Sequence, residues 1–563
     1  MPPSDFYIPK PNSDEGKLLK FLDEVDSEAE GGRRDIEKGW AENMKQVRGD
    51  QWRLKRNPYF LANITKNQLR RKVATLTEAK PQVQVRSKKP DLTKAQMVLY
   101  NACRSILDQS HTDDNLERVC RFGMTCGSSF LGVVYDPAED DVFVPFIDPR
   151  RVYIDPGLTA ASEIDKAQYV RIDTMMPLSD VRMRFPGRGA LVKPDDRASA
   201  VHQPQRHRTS VLSAVLSMMP QPYRPGAPPK PGPVPRAVVK EYWLRDSQLG
   251  EDGTLLFPTG RRIVRASNVI LLDQPNPYID GGWPIEMFEW EVDFDSAWGM
   301  DEIEDLRRLQ EALNRMGDAW IRNLLLSSNF KIIGDVDALD PDQWDKIDNE
   351  AGLIIRKKPT RSLEYVPSVP MDQSIPGALE AIIRLADMLT GNSESKPSQM
   401  AQGSAAYDGL QMSRQTLVRA VSRRLESMLE RVGQKLISRV YQFMTSDRIL
   451  FQQGPSREWM AYTYSRQQIL QDDEGNYRPL EEQERMFKDF RFLVTPGSSL
   501  ASTRVQRVMA ALQLRSATGV APSIRRILAE ADLGDVDTLL QEAIEEAKWL
   551  PAPPPEKGRG GRQ

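Results

Sequence analysis

The chain has 563 residues, enough at about 150 per domain for several domains and for a core that needs no disulfide or metal staple. Hydrophobic residues make up 40% and charged residues 28%, a polar balance that suits a large solvated surface or helices whose outer faces meet other subunits. Lys and Arg number 77 against 79 Asp and Glu, so a formal charge of −2 excludes a global positive field for nucleic acid and leaves only local contact.

The opening residues MPPSDFYIPKPNSDEG carry no apolar core of a signal, and no run approaches the roughly 18 apolar residues of a membrane span, which predicts neither secretion nor membrane insertion. Two amphipathic helices are predicted over 14–30 and 33–48, separated by Gly31-Gly32, the second presenting Ile36, Trp40, Met44 and Val47 on one face. Gly49-Asp50-Gln51-Trp52 closes it as a turn. Helices follow from Asn57-Pro58 to about Lys80, from Thr93 to Gln109 and over 113–127. Strands are predicted at Ser129–Tyr135, Val142–Ile147 and Val152–Ile154, each ending at an Asp-Pro pair.

Residues 187–236 break the pattern. Eight prolines among the sixteen residues from Pro220 to Pro235 predict a disordered or polyproline-like insertion, with a P-x-x-P docking site as the functional alternative. Strands resume at Ala237–Leu244, Arg262–Val264 and Val269–Leu272.

From Gly299 to about Ser327 the apolar residues Ile303, Leu306, Leu309, Leu313, Met316, Trp320 and Leu324 keep a helical period, which predicts a helix of about 43 Å. Asp301, Glu302, Glu304 and Asp305 suit the positive end of its dipole. Short strands (Phe330–Ile333, Leu353–Arg356, Leu363–Val366) make a small α/β insert, followed by a second helix over about 376–390. Thr390 to Asp408 is polar and rich in Gly and Ser, hence a loop. A third helix, Gly409 to about Ser446, keeps Leu417, Val421, Leu425, Met428, Val432, Leu436, Val440 and Phe443 in register, with Gly433 as a plausible kink. It holds Arg414, Arg419, Arg423, Arg424, Arg431, Lys435 and Arg439 against Glu426 and Glu430. That stripe reads as a solvated or intersubunit ion-pair face, with direct DNA contact as the alternative. A β-rich segment (about 449–496), two or three helices over 502–549 and a tail disordered by composition complete the chain.

Enzymatic chemistry has little to work with. His111, His202 and His207 are the three histidines, and the last two lie in the Pro-rich stretch. Cys103, Cys120 and Cys126 have no paired C-x-x-C spacing, so they read as buried small hydrophobes in a reducing compartment. No phosphate-cradling G-x-x-x-x-G-K-[ST] loop, G-x-S-x-G elbow or H-E-x-x-H pair occurs. Asp136, Asp148 and Asp155 are the one candidate carboxylate–metal set, but all three precede proline and read first as turn initiators. No catalytic residue, metal or cofactor is expected.

The order of helix, small insert, helix, polar loop and very long helix resembles the portal proteins of tailed bacteriophages over nearly the whole chain. Gly49-Asp50-Gln51-Trp52 resembles the family's opening motif and Ser128–Asp136 its wing. Trp298-Gly299 through Gln310 and Asn314 resembles the start of its first stem helix, Ala351-Gly352-Leu353-Ile354-Ile355 its clip, and Thr390-Gly391 with Ser404-Ala405-Ala406 the flanks of its tunnel loop. The Pro-rich insertion is not a hallmark of the family.

The resemblance implies an α+β subunit assembled as a ring. Its parts would be a wing over 1–298, a first stem helix over 299–327, a clip over 328–372, a second stem helix over 373–390 and a tunnel loop over 391–409. The long helix and remaining wing strands would occupy 410–500, a short helical crown 501–549 and a tail 550–563. The implied function is a structural DNA channel at the capsid vertex of the virion, assembled in the host cytoplasm, through which the genome is packaged and ejected. Implied partners are other copies of the chain, twelve in the particle, double-stranded DNA, the terminase large subunit, the major capsid and scaffolding proteins, and head-completion or tail adaptor proteins.

Asn392, Ser393, Ser395, Lys396, Ser398, Gln399, Gln402 and Ser404 would line the channel, since small polar side chains touch phosphates without locking onto them. Arg356, Lys357, Lys358 and Arg361 would dock the terminase or adaptor. A head–tail scaffold that forms no closed ring, a minor capsid protein, and a metal-dependent nucleic-acid hydrolase using the three Asp-Pro carboxylates are the alternatives.

Overall fold

The computed structural model describes residues 8–9, 15–51, 60–78, 80–195, 234–249, 254–328, 331–335, 359–366, 374–390, 404–453 and 459–495. Helix and antiparallel sheet are mixed throughout, as an α+β chain requires.

Helix α1 (Glu15–Arg48) is one continuous helix of 34 residues, not two. Gly31 and Gly32, which predict a break, lie inside it. At Gly32 a Cβ would stand 2.8 Å from the Pro156 ring, so the missing side chain is what lets the helix lie against that turn. The next residue, Arg33, is buried and donates to the carbonyls of Pro149, Val152 and Arg150. The N-terminal half of α1 lays Leu18, Leu22, Val25 and Ala29 on Tyr169, Tyr242, Leu244 and Ile263 of a five-stranded sheet. That sheet runs in the order β10–β9–β8–β7–β6, from Val269–Pro275, Arg261–Ala266, Arg236–Leu244, Tyr169–Pro177 and Val152–Ile154, all antiparallel.

Between helix and sheet sits a buried ion cluster. Asp26 accepts from Arg171 (2.5 Å), Lys240 (2.6 Å), Arg265 (2.5 Å) and the Tyr242 hydroxyl (2.8 Å). Burial alone would raise the Asp26 pKa, but these cations outweigh it and hold the carboxyl below its ordinary range.

Helices α2 (Ile64–Leu76), α3 (Thr93–Gln109) and α4 (Thr112–Cys126) follow, with strand β1 (Val83–Ser87) between α2 and α3. The predicted strand 129–135 is divided. Strand β2 (Ser128–Gly132) is buried along its whole length between β11 (Ile285–Glu289) and β5 (Phe146–Ile147). After Val133, whose N–H donates to the Pro284 carbonyl, β3 (Val134–Asp136) pairs instead with β4 (Asp141–Phe143). Strands β1, β7 and β11 and the short helix α5 (Leu178–Arg184) are additions to the sequence reading.

Helix α6 (Ile303–Ser328) begins four residues later than the periodicity predicts. After the antiparallel pair β12 (Lys331–Gly334) and β13 (Leu363–Val366), α7 (Ser374–Leu389) returns against it. Helix α8 (Ser404–Phe443) has 40 residues, about 60 Å. Val421, Leu425, Met428, Val432, Leu436 and Val440 are all buried in the main core, as the register predicts. Gly433 seats an aromatic ring, since a Cβ there would meet the Phe492 ring at 2.1 Å. Phe492 belongs to β16 (Phe490–Val494), which pairs with β1 across the chain. The hairpin of β14 (Arg448–Gln453) and β15 (Trp459–Tyr464) packs on α3.

Candidate functional site

Gly49, Gln51, Gln310, Asn314 and Thr390, five of the residues that carried the family resemblance, meet at one place, the root from which α6 and α7 leave the body of the fold. Gly49 ends α1 with a φ of +88°, and its N–H donates to the Gln46 carbonyl. Two residues on, Gln51 donates to that same carbonyl (2.9 Å) and accepts from Asn314 (2.7 Å). Asn314 in turn accepts from Gln310 Nε2 (2.9 Å), which also donates to the Ala62 carbonyl. Gln310 is fully buried, and its Oε1 accepts from the N–H groups of Ile64 (2.9 Å) and Thr65 (3.4 Å) at the start of α2. One glutamine of α6 therefore accepts from two helix-end donors, of which Ile64 N also donates to the Ala62 carbonyl (2.9 Å), and ties α2 to the end of α1. Asn63 completes the cap by accepting from Lys66 N.

Helix α2 holds α7 as well. Gln68 donates to Asp387 and accepts from the fully buried Thr390, which follows the last residue of α7. Lys72, one turn further along α2, reaches both oxygens of Glu302 just ahead of α6 at 2.7 Å. Glu302 also accepts from Trp290 Nε1. The start of α6 and the end of α7 are thus fastened to one short helix, and the two run antiparallel from it. Phe60 packs where Gly317 of α6 leaves room, since a Cβ there would come within 2.1 Å of the ring. Burial then fades outward along α6, from Leu313 at 1% exposed to Leu324 at 44%.

Four of the seven cations on α8 have a different use from either reading offered by the sequence. Arg431 pairs with Glu286 (2.8 Å), Lys435 with Asp165 and Glu286 (2.8 Å each) and Arg439 with Asp280 (2.7 Å), while Arg424 donates to the Trp290 carbonyl. These are contacts within the chain that seat α8 on β11 and the segments around Asp165 and Asp280. Burial alone would depress the Lys435 ammonium, but the Glu286 and Asp165 carboxylates raise it. The side chain of Arg414 lies outside the described residues, and Arg423 is exposed.

The three Asp-Pro carboxylates make turns. Asp136 accepts from Ala138 N, Asp148 from Arg150 N, and Asp155 from Gly157 N and Gln168 N. No group of metal-ligating side chains occurs among the described residues. All three cysteines are buried, which pushes the Cys120 thiol up to about 12.

Of the predicted contact residues, Arg356, Lys357 and Lys358 and the run from Asn392 to Gln402 lie outside the described residues. Arg361 is exposed between β12 and β13. Ser404 opens α8 instead of belonging to the loop, because the backbone is helical from that residue. Sequence reasoning missed Phe60, Gln68 and Lys72. The available signal was two amides four residues apart, Gln310 and Asn314, on a helix face otherwise built from Leu306 and Leu313: buried amides need partners.

Residues 34–248 match the family model of the phage P22-like portal protein. The chain carries a P22-like portal region. That match supports the tailed-phage portal family and, with it, a portal role. No curated protein matches the chain. The matched region holds Gln51, Gln68 and Lys72, while their partners Glu302, Asn314, Asp387 and Thr390 lie beyond it, so the root joins the portal region to the paired helices. No helix among the described residues is long and apolar enough to cross a membrane.

Proposed function

We propose that the chain is the subunit of a homo-oligomeric ring at the capsid vertex, a passive conduit for the viral genome with α6 and α7 as its stem. The observation that supports this best is the pairing of those two helices. Rooted on α2, with α6 increasingly exposed outward, they leave Leu324 of α6 and Ile383, Leu385, Met388 and Leu389 of α7 at 39–67% exposure. Apolar helical surface of that extent asks for a neighbour, and copies packed side by side around an axis supply one.

In this reading the segment between α6 and α7, with Arg356, Lys357, Lys358 and Arg361, faces the packaging motor and later the adaptor proteins. The run 391–403 faces the DNA. A near-neutral chain suits a conduit, because extensive neutralisation of phosphates would trap the polymer through counterion release. Two experiments test the assignment of ends. Deleting residues 393–403 should leave rings that fail to package or retain DNA, and normal packaging and retention would take this run off the DNA path. Reversing Lys357 and Lys358 to Glu should impair terminase docking with assembly intact, and unaltered packaging would move the motor interface elsewhere.

A further inference from the structure

Phe294 is the most exposed large apolar side chain among the described residues, at 91%. It stands at the tip of a loop that is held firmly. A backbone bridge, Met300 N to Glu291 O (2.9 Å), closes the loop, and Ala297 N donates to the Leu158 carbonyl. Trp298 is buried edge-on against Trp40 (5.3 Å) and Phe130 (5.8 Å). An anchored loop that spends its tip on an aromatic ring, with Asp293 and Asp295 on either side, is a knob without a socket among the described residues.

A socket of matching character lies elsewhere. A groove of about 820 Å³ opens between β1, α3 and the start of α4. Its apolar lining includes Val83, Met97, Tyr100 and Leu107, with Met97 66% exposed at the rim. Lys80, Arg86 and Arg104 also line it, against Asp108 and Asp113, so the groove has an excess of one positive charge and the knob two flanking negative ones. Strand β1 pairs with β16 on one edge, and among the described residues no strand covers the other.

Knob and groove lie at opposite ends of α4. Thr112, Asp113 and Leu116 of its first turns line the groove, while Gly127 just beyond its last residue abuts the knob loop at Gly299 and accepts from Trp290 N. Fifteen helical residues, about 22 Å, separate them. We propose that the Phe294 loop of one copy docks in the β1–α3 groove of a second copy, a head-to-tail contact resting on the ring reading above. Two different surfaces on each subunit are what a heterologous interface needs, and one that closes on itself gives a ring.

The test uses two full-length variants, Phe294→Cys and Met97→Cys. The native cysteines are buried and their thiols raised, so they stay silent. Assembled together and oxidised, the variants should give a disulfide-linked dimer of two 63.9 kDa chains on a non-reducing gel, and neither should give it alone. Rings that form without the cross-link, or cross-links within one variant alone, would overturn the docking while leaving the ring intact. Wild-type protein that forms no rings would remove the ring reading and this contact with it. Phe294→Asp should in addition cut ring yield by about tenfold at fixed concentration, with the melting of the subunit unchanged. An unchanged yield would contradict the proposal.

Discussion

Gly127 and Gly299 face each other so closely that a Cβ on Gly127 would lie 1.7 Å from the Gly299 carbonyl oxygen. One ends α4 and the other precedes α6, so the approach of two bare backbones sets where the first of the paired helices leaves the body of the fold. Gly299 N donates to Ser128 Oγ (2.9 Å), which draws β2 into the same junction.

Gly127→Ala should therefore be costly, both from overlap and from a φ of +76°. A loss of about 1–3 kcal/mol or more is expected in thermal unfolding. Gly31→Ala is the contrast. It has nothing within 4 Å and sits inside α1, so it should gain about 0.5–1 kcal/mol. Equal effects at the two positions would contradict this account of the junction.

Gln310→Ala removes the acceptor for Ile64 N and Thr65 N and the donor to Ala62 and Asn314 together. Ile64 N keeps its bond to the Ala62 carbonyl, and stranding the buried Thr65 N–H costs about 1–3 kcal/mol. Hydrogen exchange at the first turn of α2 should rise with it. Gln310→Glu keeps the acceptor and should protect those amides better than Ala does.

Asp301, beside the start of α6, has its pKa raised by burial from 3.8 to about 6, against the lowering effect of its bond from Glu304 N. Between those two values the folded protein binds more protons than the unfolded chain. Its contribution to stability is therefore fully present below about pH 4 and is lost as pH rises toward 6. Asp301→Asn can still accept from Glu304 N and no longer titrates. Its melting temperature should exceed the wild type's more at pH 7 than at pH 4, and a constant difference would show that Asp301 does not titrate in this way.

Asp26→Ala takes the shared carboxylate from Arg171, Lys240 and Arg265 between α1 and the five-stranded sheet, leaving Arg171 with Asp173 and Glu30 and Arg265 with Asp23. Removing one partner from such a buried cluster costs about 3–5 kcal/mol. Urea unfolding should move its midpoint accordingly, and a shift below about 1 kcal/mol would show that the cations find water instead.

Local pattern carried far in this sequence where an element's own residues decide it. Helix α3 and strand β13 have the predicted bounds, and the buried face of α8 follows its apolar register. Long-range contacts decided the rest. Gly31-Gly32 reads as a break until Pro156 is seen lying against it. Strand β7, YVRIDTMMP, mixes buried Arg171 into its apolar run because Asp26 waits on a distant helix. The stripe of cations on α8 looks like an outer face because Asp165, Asp280 and Glu286 are about 150–270 residues away in sequence and adjacent in space. Of the candidate site, the amides Gln310 and Asn314 were visible but not their partners.

The central claim is a closed ring of this chain, and particle mass with direct imaging of the purified protein tests it most directly. Twelve copies of 63.9 kDa give a particle of about 767 kDa, seen end-on as a ring with an open centre. Monomers or dimers alone, across low and high salt and a range of protein concentrations, would contradict the account.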